Sequence, residues 1–339
     1  MLVIVIVFFC LSILLYLLLG GADYGVGILE IFTHKDLKPR TRKATYKIIG
    51  PVWEANHMWL IIAIVILFVG FPAIYTTLST YLHIPLVLML LGIIGRGTAF
   101  VFRHYDAVED GMHRVYHLIF AYSSLVTPFF LGIIAASMIA GNIDPTATSF
   151  TDLFIHPWLS VFPVSVGLFT VCICGFLASV YLSGETMDED LTAFFIKHAK
   201  RFNIYTVLTG AMVLLSSYFN SVSLAQDIWT NPVVIGTFII ATLLLIPLWL
   251  NLGKNDRKLI IRLIAGAEIA LILFGLGYSY FPDIIILKNA PNLSLLAHAS
   301  SPGTITVLAW GLMIGSLFIL PSLFYLIYSF QSKPASYTH

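Results

Sequence analysis

The sequence predicts an all-α, polytopic membrane protein with nine transmembrane helices. Of its 339 residues, 59% are hydrophobic and only 10% are charged. Apolar runs of about 18 residues or more, the length that predicts a membrane-spanning segment, recur along the whole chain. These runs are expected to be helices, because lipid offers no partner to backbone groups left unpaired. The net charge of +1 gives no indication of nucleic acid as a partner.

Nine predicted spans follow from these runs. The first is longer than a bilayer requires, so we expect it to tilt, to protrude or to break near its glycines. It lacks the positively charged start of a secretion signal and is interpreted as a membrane helix, not a cleaved peptide. The predicted spans are 2–32, 53–76, 80–103, 117–140, 158–183, 203–220, 233–251, 259–281 and 303–330.

Lysine and arginine are strongly biased to one side of the membrane. All but two of the 18 basic residues fall at the loops after spans 1, 3, 5 and 7 or in the C-terminal tail. The exceptions are Lys288, in an opposite loop, and Arg96, inside span 3. Because cytoplasmic loops are enriched in basic residues, these loops and the C-terminus are predicted to be cytoplasmic, and the N-terminus to lie outside.

A shift by four helices preserves this predicted orientation. Spans 1–4 and spans 5–8 each start outside, and each place a long polar loop after their first helix. The chain is therefore interpreted as one integral membrane domain, 1–339. Within it, two four-helix bundles, 2–140 and 158–281, are followed by a peripheral ninth helix at 303–330.

Ionisable residues in the first three spans indicate a polar site. Asp23 lies late in span 1, Glu54 opens span 2, and Arg96 lies about two turns before the end of span 3. Glu30 and Arg103 lie at the ends of spans 1 and 3, so all five map to the predicted cytoplasmic half. A charge at the bilayer centre costs on the order of 2.5–3.5 kcal/mol, so the acids and the arginine are expected to pair around water.

Two interpretations of these charges stay open. One is a structural ion pair that locks three helices. The other is a polar conduit for protons or another ion, because burial and a neighbouring arginine shift a carboxyl pKa in opposite directions and can bring it near the operating pH. Asn56 and His57 lie within a turn of Glu54 and could hydrogen-bond along a water path. Glu268, near the middle of span 8, is also costly to bury, but the sequence does not place it relative to the others.

Small and aromatic residues flank the charges. Gly21, Gly25 and Gly27 are typical of close helix contacts and also permit a bend in span 1. Trp53 and Trp59 are interpreted as aromatic residues of the membrane interface.

The histidines do not indicate a metal or haem site. A bis-histidine haem needs two inward histidines at matched depth, and only His57 lies clearly within a span. His113 and His117 have helical spacing, but they straddle a helix start without acid or sulfur partners. We therefore expect neither a metal site nor a redox centre on this chain. The cysteines, which all fall in apolar runs and are interpreted as small buried residues, are Cys10, Cys172 and Cys174.

Three motifs resemble those of one membrane protein family. GADYGVGI at 21–28 resembles the first-helix signature of subunit II of the cytochrome bd-type quinol oxidases. PVWEANHMWL at 51–60 resembles that family's Trp-acid-x-Asn motif, and GRGTAFVFR at 95–103 resembles its third-helix Arg-Gly…Phe-x-x-Arg motif. The strong matches cover 20–105, with a weaker similarity at Gly184-Glu185. Nine spans is also the number that the family has.

The resemblance implies a function in respiration. A member would be subunit II of a bacterial terminal oxidase, in the cytoplasmic membrane, that oxidises quinol at the outer side and reduces O₂ to water. Haem b and haem d, or a third haem b in its place, would belong to the partner, subunit I, together with the quinol site. Small single-helix subunits, lipid and quinone are further expected partners.

The resemblance also implies roles for the charged residues. The second-helix acid, here Glu54, would lie on a route of proton uptake from the cytoplasm, and Asp23 would belong to the same polar region. Beyond what the resemblance implies, we hypothesise from the residues themselves that Asn56 and His57 assist with ordered water. Arg96 would tune the carboxylates and stabilise the three helices; Arg103, Trp53 and the three glycines of span 1 would support the structure.

Two rival functions stay open. A transporter would explain intramembrane acids, a glycine-rich helix and a parallel repeat, although the charges cluster at one side and not around a midplane site. A catalytically passive scaffold for subunit I is the other. A neighbouring gene that encodes many inward histidines would favour the oxidase and the scaffold over the transporter.

Overall fold

A computed structural model places nine membrane-length helices in the described part of the chain. This confirms the predicted fold class. Large apolar side chains stay exposed along these helices, as expected of surfaces that face lipid or a partner. The described residues are 1–34, 36–105, 112–186, 188–220, 222, 224, 230–254 and 257–331. Spans 1 to 9 are Leu2–Phe32, Trp53–Gly70, His83–Tyr105, Met112–Ile139, Val161–Glu185, Glu189–Phe219, Pro232–Asn251, Lys258–Tyr280 and Pro302–Gln331.

Span 1 is a continuous helix with a change of hydrogen-bond register in its middle. Its first part, Leu2–Leu15, is followed by a π-helical segment, Tyr16–Gly20, and by a second α-helical part, Gly21–Phe32. A π segment widens the helix by one residue per turn and is frequent at functional sites. The predicted irregularity is therefore a π segment that ends directly before the glycine-rich part.

Span 2 ends earlier than predicted. The helix stops at Gly70, and a separate helix, Pro72–Tyr81, follows it. Phe71 between them leaves the helical conformation at φ −139°, and Pro72 has no amide hydrogen to continue the ladder. The predicted continuation to residue 76 is therefore wrong.

Span 6 begins fourteen residues earlier than predicted, at Glu189. The Asp188 carboxylate caps this start, because it accepts hydrogen bonds from the amides of Asp190 and Leu191. The basic residues 197, 200 and 201 therefore lie on a helix and not in a loop. Lys35 and Lys333, two basic residues used to predict the orientation, lie outside the described residues.

Short elements close both ends of the bundle. We call the end where spans 1, 3, 5 and 7 finish the basic end. There the helix Lys38–Ile49 is fixed by Arg40, whose Nε donates to Asp188 at 3.1 Å. This guanidinium holds the pKa of the Asp188 carboxyl below its usual range. The opposite end carries the helix Phe150–Phe154 and a two-stranded antiparallel hairpin that pairs Asp283 with Ser294.

The packing of the spans follows a regular pattern. Span 1 packs against spans 2 and 4, and span 3 against span 4. Four helices later, span 5 packs against spans 6 and 8, and span 7 against span 8. Spans 1 and 4 both contact span 5, and span 9 lies against spans 1 and 2. The division into two bundles plus a ninth helix stays a prediction that agrees with these contacts.

Candidate functional site: a buried charge cluster

The centre of the cluster is a buried ion pair between spans 1 and 3. Arg96 donates from both terminal nitrogens to the Asp23 carboxylate, at 2.7 and 2.9 Å. Both residues are only 1% exposed. Arg96 also donates to the Asp23 carbonyl at 3.1 Å, and from Nε to Ser124 Oγ of span 4 at 3.0 Å. The pair predicted from depth alone is present, and it joins three helices.

His57 of span 2 completes this pair. Its Nε2 lies 3.4 Å from an Arg96 terminal nitrogen and 3.5 Å from Asp23 Oδ2. A neutral ring can accept from the arginine through this nitrogen, whereas a protonated ring can donate to the carboxylate. The other ring nitrogen, Nδ1, is buried and has no partner within the described residues. His57 thus contacts both members of the ion pair through one ring nitrogen.

Two tyrosines adjoin the histidine. The hydroxyls of Tyr16 and Tyr24 lie 2.9 Å apart, and both rings pack near His57, with centroids 6.1 and 5.5 Å away. Tyr16 begins the π segment of span 1. The segment thus places the Tyr16 ring near the histidine, whereas a regular helix from the same sequence would place this ring on a different face.

A second ionic contact lies two helical turns nearer the basic end. Glu30 accepts from Arg103 of span 3 at 2.9 Å and from Arg42 of the helix Lys38–Ile49. His117 of span 4 lies 3.9 Å from the same carboxylate. Glu30 is only 4% exposed, so its carboxylate is buried within this contact although it lies near the end of span 1.

Glu54 lies apart from both ion pairs. It is in the first turn of span 2, on a face that this chain leaves exposed. The structure gives its carboxylate no hydrogen bond or ion pair to any described residue. Asn56 lies beside it and is half-buried. Glu54 and His57 are one helical turn apart, about 4.5 Å along the axis, so Glu54 stands between His57 and the basic end.

The two tryptophans have different environments. Trp53 packs on Phe100 of span 3, with ring centroids 5.0 Å apart, and its edge lies beside Gly97. Trp59 is only 7% exposed, and its indole nitrogen has no partner in the described part of the chain. The interpretation as interfacial aromatics is therefore wrong for Trp59.

The glycines of span 1 permit helices to approach closely. A Cβ added at Gly25 would lie 1.9 Å from the Cys174 carbonyl oxygen of span 5, and one at Gly27 would lie 2.2 Å from Ser124 Oγ. At Gly21 the nearest atom would be Cys174 Sγ at 3.4 Å, an ordinary contact. The prediction of close contact holds for Gly25 and Gly27, and only loosely for Gly21.

We therefore expect Gly25→Ala to lower the melting temperature and yield of the purified protein strongly. Its Cβ would force span 5 away, a strain of about 1–3 kcal/mol or more because the obstacle is backbone. Gly21→Ala is the matched control on the same helix and should behave almost as wild type. Equal stability of the two variants, measured by thermal unfolding in detergent, would contradict the close approach.

The residues do not fit a haem or metal ion. No group of three or more His, Cys, Asp or Glu side chains converges in the described part of the chain. His57 directs Nε2 at Arg96 and Asp23, so an iron at that nitrogen would have to displace an ion pair. We therefore derive no chemical step through a haem bound to this chain, and the expected lack of a cofactor stays a prediction.

The structure shows the surroundings of two charged sites in the second half of the chain that could not be predicted from the sequence. Arg262 of span 8 binds Glu185 at 2.7 Å, which joins the ends of spans 5 and 8. Glu268, deeper in span 8, is 6% exposed, and its Oε2 has no hydrogen-bond partner within the described residues. The next residue, Ile269, belongs to an apolar cluster with Ala22 of span 1, and neither ion pair includes Glu268.

We expect Glu268→Met to raise the melting temperature of the protein. An unpartnered buried carboxyl costs about 1–3 kcal/mol, and methionine fills a similar volume without that cost. Glu268→Gln keeps a polar group and should give a smaller change. If Glu268→Met instead lowers the stability, the carboxyl is satisfied in the assembled protein by a group outside the described chain.

Known proteins are similar to this chain in sequence and in architecture. The chain is 25% identical over 330 residues to cytochrome bd ubiquinol oxidase subunit 2 of Bacillus subtilis (strain 168), covering 94% of this chain and 92% of that protein. It is 24% identical over 173 residues to cytochrome bd-I ubiquinol oxidase subunit 2 of Escherichia coli (strain K12), covering 50% of this chain and 45% of that protein.

The fold is similar to a solved bd oxidase from Geobacillus thermodenitrificans, with a TM-score of 0.79 and 20% identity over 97% of this chain and 98% of that chain. The sequence profile of the family described as cytochrome bd terminal oxidase subunit II matches residues 1–330. This match spans almost the entire chain and includes all three motifs in spans 1 to 3. The chain therefore belongs to the cytochrome bd terminal oxidase subunit II family.

Proposed function

We propose that the chain is the haem-free subunit II of a bacterial respiratory oxidase that oxidises quinol and reduces O₂ to water. The observation that carries this proposal is the family match over residues 1–330. Haem b and haem d, or a third haem b, would be held by the partner, subunit I, with quinol as the electron donor. Small single-helix subunits, lipid and quinone complete the proposed partners.

The proposed orientation of the chain in the membrane follows from the basic residues, which cluster at the basic end. The N-terminus lies outside, and the loops at the basic end and the C-terminus are cytoplasmic. Glu54, His57 and Asp23 then form a series that begins near the cytoplasm and continues into the membrane. Protons are taken up from this side, whereas quinol releases protons outside, so turnover separates charge across the membrane. Moving one charge across a potential of 100 mV corresponds to ~2.3 kcal/mol.

Glu54 is the proposed entrance of the proton route. An ionised carboxylate facing lipid is unfavourable, so its exposed face is expected to meet water or a polar surface of subunit I. His57 is the proposed carrier: while its Nε2–H donates to Asp23, the unprotonated Nδ1 takes up a proton to give the imidazolium and then releases it. Asn56 would orient water between them.

Asp23 has a different proposed role from that of Glu54. Both of its oxygens are already occupied by Arg96, so we assign it to the electrostatic balance of His57. This same observation favours the second candidate function, in which the ion pair is purely structural and the chain is a scaffold for subunit I. The transporter receives no such support, because the charges lie toward one end of the bundle.

Affinity purification of the tagged chain from native membranes tests the proposal. We expect the eluate to show haem bands in a reduced-minus-oxidised spectrum and quinol-driven O₂ uptake. Both belong to a complex, so they separate the oxidase from a transporter. A chain that is stable and monodisperse alone, without haem or O₂ uptake, would overturn the proposal.

A further inference from the structure

A cleft at the basic end is not used by the proton route. It lies between the ends of spans 5 and 7 and the starts of spans 6 and 8, and its volume is about 340 Å³. It is remote in sequence from Glu54 and shares no lining residue with the charge cluster. Its lining contains both charged and apolar side chains, which is typical of a site for an amphipathic molecule.

The polar side of the cleft is suited to an anion. Lys254 and Lys258 line it, and neither makes an ion pair with a described acidic residue. Glu189 is the one acidic residue in the lining, whereas the nearby Glu185 is already neutralised by Arg262. Span 8 starts at Lys258 without a side-chain cap or an acid in its first turn, so its positive dipole end adds to the lysine charges.

Two hydroxyls in the lining of the cleft are not available as hydrogen-bond donors to an anion. Ser183 Oγ already donates to the Val180 carbonyl and Thr192 Oγ1 to the Asp188 carbonyl. Their hydrogens are therefore not free, and the lysine ammonium groups are the strong donors that face the cleft. A lysine ammonium binds a phosphate as a point charge. It does not require the planar, two-bond geometry with which an arginine binds a carboxylate.

The apolar side of the cleft is suited to a hydrocarbon chain. Val180, Ile196 and Ile261 line it together with Leu252. These residues belong to spans 5, 6 and 8 and to the turn after span 7. Val180 and Ile261 are buried, so Ile196 and Leu252 supply the accessible apolar surface. A soluble anion such as free phosphate would leave this surface in contact with water.

We propose that the cleft binds an anionic phospholipid, with its phosphate at Lys254 and Lys258 and an acyl chain along Ile196 and Leu252. Basic pockets between helices on the cytoplasmic side are a known form of lipid site, and each lysine near an anionic membrane surface contributes ~1 kcal/mol. The ligand would join spans 5 and 6 to spans 7 and 8, in addition to the Arg262–Glu185 ion pair at this end. This binding is independent of the proposed oxidase activity.

The test compares lipid binding by wild type and by the double variant Lys254→Gln/Lys258→Gln. The complete purified protein, with any partners retained, is delipidated in detergent and titrated with phosphatidylglycerol or phosphatidylcholine, with bound lipid counted by native mass spectrometry. We expect wild type to prefer phosphatidylglycerol and the variant to bind it on the order of 30-fold more weakly. The control is Lys38→Gln/Lys43→Gln, which has the same charge change at the same end but outside the cleft.

One further variant and one further titration complete the test. Ala193→Trp fills the cleft beside its apolar residues without a change of charge, so it should also weaken phosphatidylglycerol binding. This variant tests the proposal if the lysine variant does not fold. Inorganic phosphate alone is titrated in parallel. The proposal is overturned if both cleft variants bind phosphatidylglycerol as wild type does, or if inorganic phosphate competes as strongly as the lipid.

Discussion

Replacing Arg96 with glutamine is expected to abolish stable accumulation of the chain. The Asp23 carboxylate would remain fully buried while it loses two charge-assisted hydrogen bonds. Removal of one partner of a buried ion pair typically costs about 3–5 kcal/mol, a large part of the stability of most proteins. The yield and melting temperature of the tagged chain, purified with its partners, measure this loss.

Two variants show whether the loss arises from the unpaired charge. Asp23→Asn/Arg96→Gln removes both charges and should recover much of the stability that Arg96→Gln loses. Arg114→Gln, an exposed arginine at the start of span 4, is the matched control and should be close to wild type. An Arg96→Gln variant with wild-type yield and melting temperature would refute the structural role of the pair.

The two ion pairs share a geometry that explains why the arginine matters. Asp23 and Glu30 are seven residues apart on span 1, and so are Arg96 and Arg103 on span 3. Seven residues make about two turns, or about 10 Å, so each set lies along one helix face. Phe120 of span 4 lies between the two guanidinium groups, with its ring centroid 5.0 Å from Arg96 and 4.4 Å from Arg103. The pairs thus fix the relative depth and rotation of spans 1, 3 and 4.

Sequence reasoning predicted the parts of the molecule that depend on composition along the chain. The nine spans follow from hydropathy, and Asp23 and Arg96 could be paired because both lie at similar depth in the membrane. Depth does not give the rotation of a helix about its axis. For that reason the sequence grouped Glu54 with Asp23, although the Glu54 side chain is exposed and lies outside both ion pairs, and it did not pair Glu30 with Arg103.

Other features depend on contacts that have no local signal. The π segment before Gly21 contains ordinary helix-forming residues, so its sequence does not differ from that of a regular helix. The early start of span 6 depends on the Asp188 cap, and its charged first turns resemble a polar loop when hydropathy alone is considered. A cap motif of Asp followed by acidic residues was the signal that could have identified this start.

The proposed proton route predicts an effect on activity that is separate from stability. Glu54→Gln is expected to lower quinol-driven O₂ uptake by tenfold or more, the order seen when a proton-transferring group is lost. Glutamine keeps the size and polarity of the side chain but cannot release a proton. Because Glu54 lies outside both ion pairs, the melting temperature and the haem content of the purified complex should stay at wild-type values.

His57→Gln should lower the same rate without affecting Arg96, since glutamine can still accept from the guanidinium but cannot carry a proton. Asp36→Asn, an exposed carboxylate at the same end, is the control that should leave the rate unchanged. Charge separation is measured with the complex in proteoliposomes, because a blocked uptake route lowers it together with turnover, whereas a destabilised scaffold lowers the haem content first. Wild-type turnover and charge separation in both Glu54→Gln and His57→Gln would exclude the route and leave the buried charges with the structural role that Arg96→Gln tests.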